Sequence, residues 1–96
     1  MKILAIIDVA ADAAMDSIRN ELANELKGSW ALFAAGVLRE AYATAAPTRV
    51  IFVLEVDNVA HAEEHLSKLP LIAAGLFRFE LVELRPFVNW STLFVR

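Results

Sequence analysis

The sequence predicts one α+β domain with the element order β-α-β-β-α-β. Three observations lead there. Residues 2–9 (KILAIIDV) and 49–56 (RVIFVLEV) share one layout, a cation, five apolar residues, a carboxylate and a valine, and each reads as a strand apolar on both faces. Gly36-x-x-Arg39 and Gly75-x-x-Arg78 repeat one another in the same way. Both pairs fall where two symmetry-related β-α-β halves would put them, and helical periodicity occupies the intervals. The expected architecture is the ferredoxin-like sandwich, one antiparallel sheet with both helices on one face.

Taken in order, 2–9 is the first strand and Asp12 is placed to cap a helix. Within it Met15, Ile18, Leu22, Leu26 and Phe33 recur at helical spacing and are expected to cover the sheet, with Asp16, Arg19, Asn20, Asn24 and Lys27 on the other side. Gly28 weakens this helix without ending it, and Gly36 is its stop. Residues 37–44 (VLREAYAT) read as a strand of mixed polarity, 45–48 as a turn around Pro47, and 49–56 as the third strand. Asn58 is expected to cap a short helix reaching about Lys68, with Ala62, Leu66 and Leu69 inward and Pro70 as its end. Residues 76–84 (LFRFELVEL) form the last strand. The domain thus covers 1–86, and 87–96 is an apolar tail whose Phe87, Trp90, Leu93 and Phe94 suit docking on a partner subunit.

Composition excludes several functions. The chain has 9 basic and 12 acidic residues for a net charge of −3, which gives no electrostatic footprint for nucleic acid or an anionic membrane. It has no cysteine, hence no thiolate nucleophile and no cysteine-based metal site. The apolar run Ile3 to Ile7 is cut short by Asp8, and Trp30 to Leu38 is far too short to span a bilayer, so a cytoplasmic protein is expected. No Gly-rich phosphate loop or nucleophile elbow is present, and no cofactor is called for. The apolar share of 58% exceeds what one small core absorbs. With both central strands apolar on both faces, the sheet face without helices needs a second copy, and a homodimer or higher homo-oligomer is expected.

Gly36-Val37-Leu38-Arg39-Glu40-Ala41-Tyr42, the block Leu69-Pro70-Leu71-Ile72-Ala73-Ala74-Gly75-Leu76 and the run Glu83-Leu84-Arg85-Pro86-Phe87 resemble the muconolactone delta-isomerase-like family. The resemblance spans nearly the whole chain. It implies a dimeric α+β barrel built from ferredoxin-like subunits, and an activity that moves a double bond within an unsaturated lactone. The chain is also similar to YCII-related proteins, although Leu69 stands before Pro70 where those proteins carry an Asp.

A double-bond shift in a lactone or unsaturated acid needs a base, a group to hold the developing enolate, and an acid to return the proton. A hairpin turning at Pro47 would set Arg39 across from Glu55 on one sheet face. That pair has two readings: Glu55 as base with Arg39 anchoring a substrate carboxylate or enolate, or a structural ion pair. Tyr42, Arg78, Glu80 and Trp30 are the substrate-binding candidates. By alternation Tyr42 falls on the opposite face from Arg39, in the helix-side core, unless a bulge intervenes. Arg78 and Glu80 share a face of the last strand and either extend the polar cluster or guard a sheet edge. Trp30 either walls a pocket or packs in the core. His61 and His65, at i and i+4, share a helix face in a geometry that suits a metal. No third ligand is evident beside them, and with Glu63 and Glu64 adjacent they read as a solvated face, so no metal is expected. The ligand class is a small organic acid or lactone, and the other reading is a binding or assembly module without catalysis.

Overall fold

A computed structural model describes residues 1–95. Strand β1 (Lys2–Val9) is followed by helix α1 (Met15–Ala34), strands β2 (Leu38–Ala43) and β3 (Val50–Glu55), helix α2 (Val59–Ser67), the single turn α3 (Pro70–Ala73), strand β4 (Phe77–Leu84) and a closing 3₁₀ segment (Val88–Phe94). The strands form one sheet in the order β2-β3-β1-β4, and every neighbouring pair is antiparallel. The α+β ferredoxin-like arrangement expected from the sequence is therefore the one observed.

Period-two alternation divides the sheet cleanly. Ile3, Ala5 and Ile7 of β1 pair with Leu54, Phe52 and Val50 of β3 and form the helix-side floor of the core. Ala62, Leu66 and Leu69 press on it, as their spacing required. The other face carries Leu4, Ile6, Ile51, Val53 and Val82, with no helix over it.

Two reversals explain the repeated Gly-x-x-Arg pattern. Gly36 has φ +79° and Gly75 φ +75°, the left-handed region where only glycine sits without penalty. After α1, the N–H groups of Gly36 and Val37 donate to Phe33 and Leu32; after α3, those of Gly75 and Leu76 donate to Ile72 and Leu71. These are two copies of one helix-ending hydrogen-bond pattern, each releasing the chain directly into a strand.

The structure corrects three expectations. Asp12 does not cap α1: the Ala13 N–H donates to the Ala10 carbonyl in a turn that uses up these residues, and the helix starts from Ala14 with no side-chain cap. Pro70 does not merely end α2; it takes the first position of α3, where its missing N–H and fixed φ are assets. Most importantly, α1 turns a different face inward. Ile18 and Glu25 are its buried residues and Leu32 packs on the core, while Met15, Leu22, Leu26, Trp30 and Phe33 are exposed.

Contacts with the α2–α3 corner fix that rotation. Gly28 lies so close to Leu69 that a Cβ there would stand 3.0 Å from the leucine Cδ2. One turn earlier, Glu25 accepts a 2.8 Å hydrogen bond from the Leu71 N–H, supplying to α3 the cap that Leu69 cannot. Asn58 does cap α2, accepting from the His61 N–H at 2.8 Å.

Burial pushes the Glu25 carboxyl above its ordinary pKa, and the Leu71 bond only partly opposes this. The folded protein therefore holds that proton more tightly than the unfolded chain. Its stabilising contribution is full below the unfolded carboxyl's pKa of about 4.3 and is lost as pH rises through the raised folded value. Glu25→Gln, which keeps an acceptor for Leu71 but carries no charge, is expected to flatten the fall in stability toward neutrality in urea melts at a series of pH values. A variant that kept the parent's slope would rule out Glu25 as its source.

Candidate functional site

Edge strand β2 carries an irregularity that shapes the site. Leu38 pairs with Leu54, but Glu40 pairs with Val53, so Arg39 is an extra residue in a bulge. The bulge changes which side chains share a face. Glu40 and Tyr42 now lie on the helix-free face beside Val53 and Ile51, so Tyr42 is not in the helix-side core. The expected cross-strand pair of Arg39 and Glu55 does not form. Arg39 instead turns back on the helix terminus, its Nε donating to the Gly36 carbonyl at 2.6 Å. Glu55 pairs in register with Lys2 and stands 3.6 Å from the Met1 ammonium.

Between the last turns of α1 and the β2 edge lies an open cavity of about 620 Å³, within the range of small-molecule sites. Leu26, Trp30 and Phe33 form its helical wall, with the Trp30 and Phe33 rings stacked 5.3 Å apart. Phe52 and Leu38 lie beneath, and Arg39, Glu40 and Tyr42 supply the polar side. The exposed stripe of α1 is thus, along its C-terminal half, the lining of this cavity.

At its β2 rim, the Tyr42 hydroxyl donates to Glu40 Oε1 at 2.6 Å. That bond, and the negative charge behind it, push the phenol's pKa above its usual value and keep it protonated. Through its Nε bond the backbone orients Arg39, and no carboxylate among the described residues pairs with the guanidinium. A cation, a carboxylate and a phenolic donor therefore border the apolar chamber at the β2 edge, Glu40 and Tyr42 from the helix-free side of that strand.

The sequence-predicted residues separate into two groups. Arg39, Tyr42 and Trp30 meet at this cavity. Glu55 lies outside it. Arg78 and Glu80 sit on β4, at the opposite edge of the sheet, in a smaller depression of about 180 Å³ with Ile6 and Asp8. Asp8 there pairs in register with Arg78 and binds Arg49 at 3.2 Å. Across three strand spacings, roughly 14 Å, the two polar groups do not meet within one chain. Glu40 was missed by sequence reasoning. Its only signal is the i, i+2 spacing to Tyr42, which says nothing about whether the pair reaches a cavity until the bulge is known.

No protein-family model matches the chain, and no curated protein does. Solved structures do match. The crystal structure of muconolactone isomerase superposes with a TM-score of 0.73 at 19% identity over 90% of both chains. The fold is that of muconolactone isomerase. The 5-chloro-2-hydroxyhydroquinone dehydrochlorinase TftG from Burkholderia phenoliruptrix AC1100, in complex with 2,5-dihydroxybenzoquinone, gives a TM-score of 0.73 at 14% identity over 93% of this chain and 98% of that one. At these identities the likeness is one of fold, and it agrees with the resemblance carried by the sequence. Among the described residues no helix is long and apolar enough to cross a membrane.

Tyr42 is the sole tyrosine, so phenolate absorbance in an alkaline titration reports it alone. Glu40→Gln is expected to bring its pKa back toward about 10, the value of a free phenol. An unmoved titration would remove the Glu40 bond as the cause.

Proposed function

We propose that this protein binds a small unsaturated acid or lactone in the α1–β2 cavity and shifts its double bond by proton transfer, as a muconolactone isomerase-like enzyme without a cofactor. The observation that carries the proposal is the convergence of Arg39, Glu40 and Tyr42 on a chamber walled by Leu26, Trp30 and Phe33. The stacked aromatic wall suits a flat unsaturated ring, and the guanidinium suits its carboxylate or enolate oxygen. Both fold neighbours bear names of enzymes for small cyclic compounds, one an isomerase and one a dehydrochlorinase.

In the proposed reaction Glu40 takes a proton from the carbon next to the carbonyl. The C–H electron pair forms the new double bond, and charge collects on the carbonyl oxygen, where Arg39 and the Tyr42 hydroxyl hold it. Glu40, whose captured proton exchanges with solvent while it is held, then delivers a proton to the far end of the conjugated system, closing the cycle with Glu40 again ionised. Glu55, the base expected from the sequence, is not among the residues lining this chamber. Glu40→Gln is therefore expected to lower proton exchange into an accepted lactone by about 10²-fold or more, and Glu55→Gln to leave it near the parent rate. The reverse pattern would move the base to Glu55. A lactone that binds with no exchange even in the parent would favour the binding-module reading.

The same proposal includes a homodimer packed through the helix-free sheet face, with the tail seated on the partner. Phe87, Trp90, Leu93 and Phe94 are 63–80% exposed, which a free aromatic segment does not sustain without a partner. The radius of gyration of 15.7 Å exceeds the roughly 12.5 Å of a compact chain of this length, so the tail stands off its own body. Light scattering is expected to give twice the chain mass, and Leu4→Glu, which puts a charge in the middle of the open face, to give a folded monomer.

A further inference from the structure

We infer that His61 and His65 form a binding site for a divalent transition-metal ion, selective for Cu²⁺. The two residues lie one turn apart on α2, and their Nε2 atoms stand 3.0 Å from one another. At that separation one ion can reach both nitrogens. An ion about 2.0–2.1 Å from each nitrogen would be seen at an angle of roughly 95°, close to the cis angle of square-planar or octahedral coordination and short of the tetrahedral angle. That bite favours Cu²⁺, then Ni²⁺, over Zn²⁺, in line with the general affinity order for imidazole ligands.

The surroundings prepare the pair for this exchange. His61 is held at the first turn of α2 by the Asn58 cap on its own N–H. Its Nδ1 accepts from the Asp57 N–H at 3.3 Å, which places the proton of the neutral ring on Nε2, shared with Nε2 of His65. A metal ion takes that proton's position. The displaced proton moves to Nδ1, and the Asp57 carboxylate oxygen, 3.7 Å away, is the acceptor for it there. Nδ1 thereby exchanges the backbone N–H of Asp57 for its carboxylate, the carboxylate–histidine–metal relay common in metal sites.

On the same helix the Glu64 carboxylate is engaged with the Lys68 ammonium at 3.5 Å. Among the described residues no third His, Cys, Asp or Glu joins the pair. The remaining coordination positions belong to water or to an oxygen or nitrogen of an incoming ligand, which makes this an open site that shares no residue with the α1–β2 cavity.

The test is titration of the whole protein with Cu²⁺ alone, followed by calorimetry and by paramagnetic broadening in amide NMR spectra. The expected result is one ion per chain, broadening centred on residues 57–65, and affinity at least tenfold weaker in both His61→Gln and His65→Gln. Because these residues are partly exposed and their variants retain the α2 cap and core leucines, circular dichroism should match the parent. Broadening centred on the N-terminus, or unchanged affinity in either variant, would overturn the inference. The broadening pattern in the parent decides the matter whether or not a variant folds.

Discussion

The structure depends on the pairing of β1 with its two neighbours. Once Ile3, Ala5 and Ile7 lie beside Leu54, Phe52 and Val50, one face of the sheet becomes a continuous apolar floor, and only there can the helices bury their leucines. Because β1 is hydrogen-bonded on both sides, its polar ends are also fixed: Lys2 beside Glu55, and Asp8 between Arg49 and Arg78. The charges that interrupt the apolar strands thus collect at the two ends of the sheet, leaving the centre of the helix-free face apolar.

Helix α1 shows how packing overrides a hydrophobic stripe. Its larger apolar side chains would, on hydrophobicity alone, face the sheet. The short α3 turn, however, needs an acceptor for its N–H groups and a neighbour small enough to approach closely, and Glu25 and Gly28 meet those two requirements from one face of α1. A buried carboxylate is expensive, but an unbonded buried N–H would also carry a penalty, and the bond between them offsets both. With that face inward, Leu26, Trp30 and Phe33 turn outward and become the wall of a chamber. The same rotation thus settles a helix cap in the core and the lining of the candidate site.

The bulge at Arg39 governs the polar side of that site. One extra residue in an edge strand shifts every following side chain to the other face, which carries Glu40 and Tyr42 to the helix-free side and helps separate Arg39 from Glu55. It follows directly on the Gly36 reversal, whose carbonyl then receives the Arg39 side chain. Helix end, bulge and cation form one local unit, and the Gly-x-x-Arg spacing records it.

The order of the four strands and two main helices, the two central strands, the Asn58 cap, the inward face of α2 and the Gly36 stop were all legible in the sequence, because each of these follows from local periodicity or capping chemistry. Arg39, Tyr42 and Trp30, which the structure places around the cavity, stood out for a similar reason: polar and aromatic groups are conspicuous against an apolar pattern. The rotation of α1, the bulge and the position of Glu40 beside the cavity emerge only in the folded chain. Those depend on how far two segments distant in the chain can approach, as Gly28 does with Leu69, and on which acceptor a buried N–H finds, as Leu71 finds Glu25. Local sequence carries the preferences of single elements, whereas register and rotation are fixed by contacts between them.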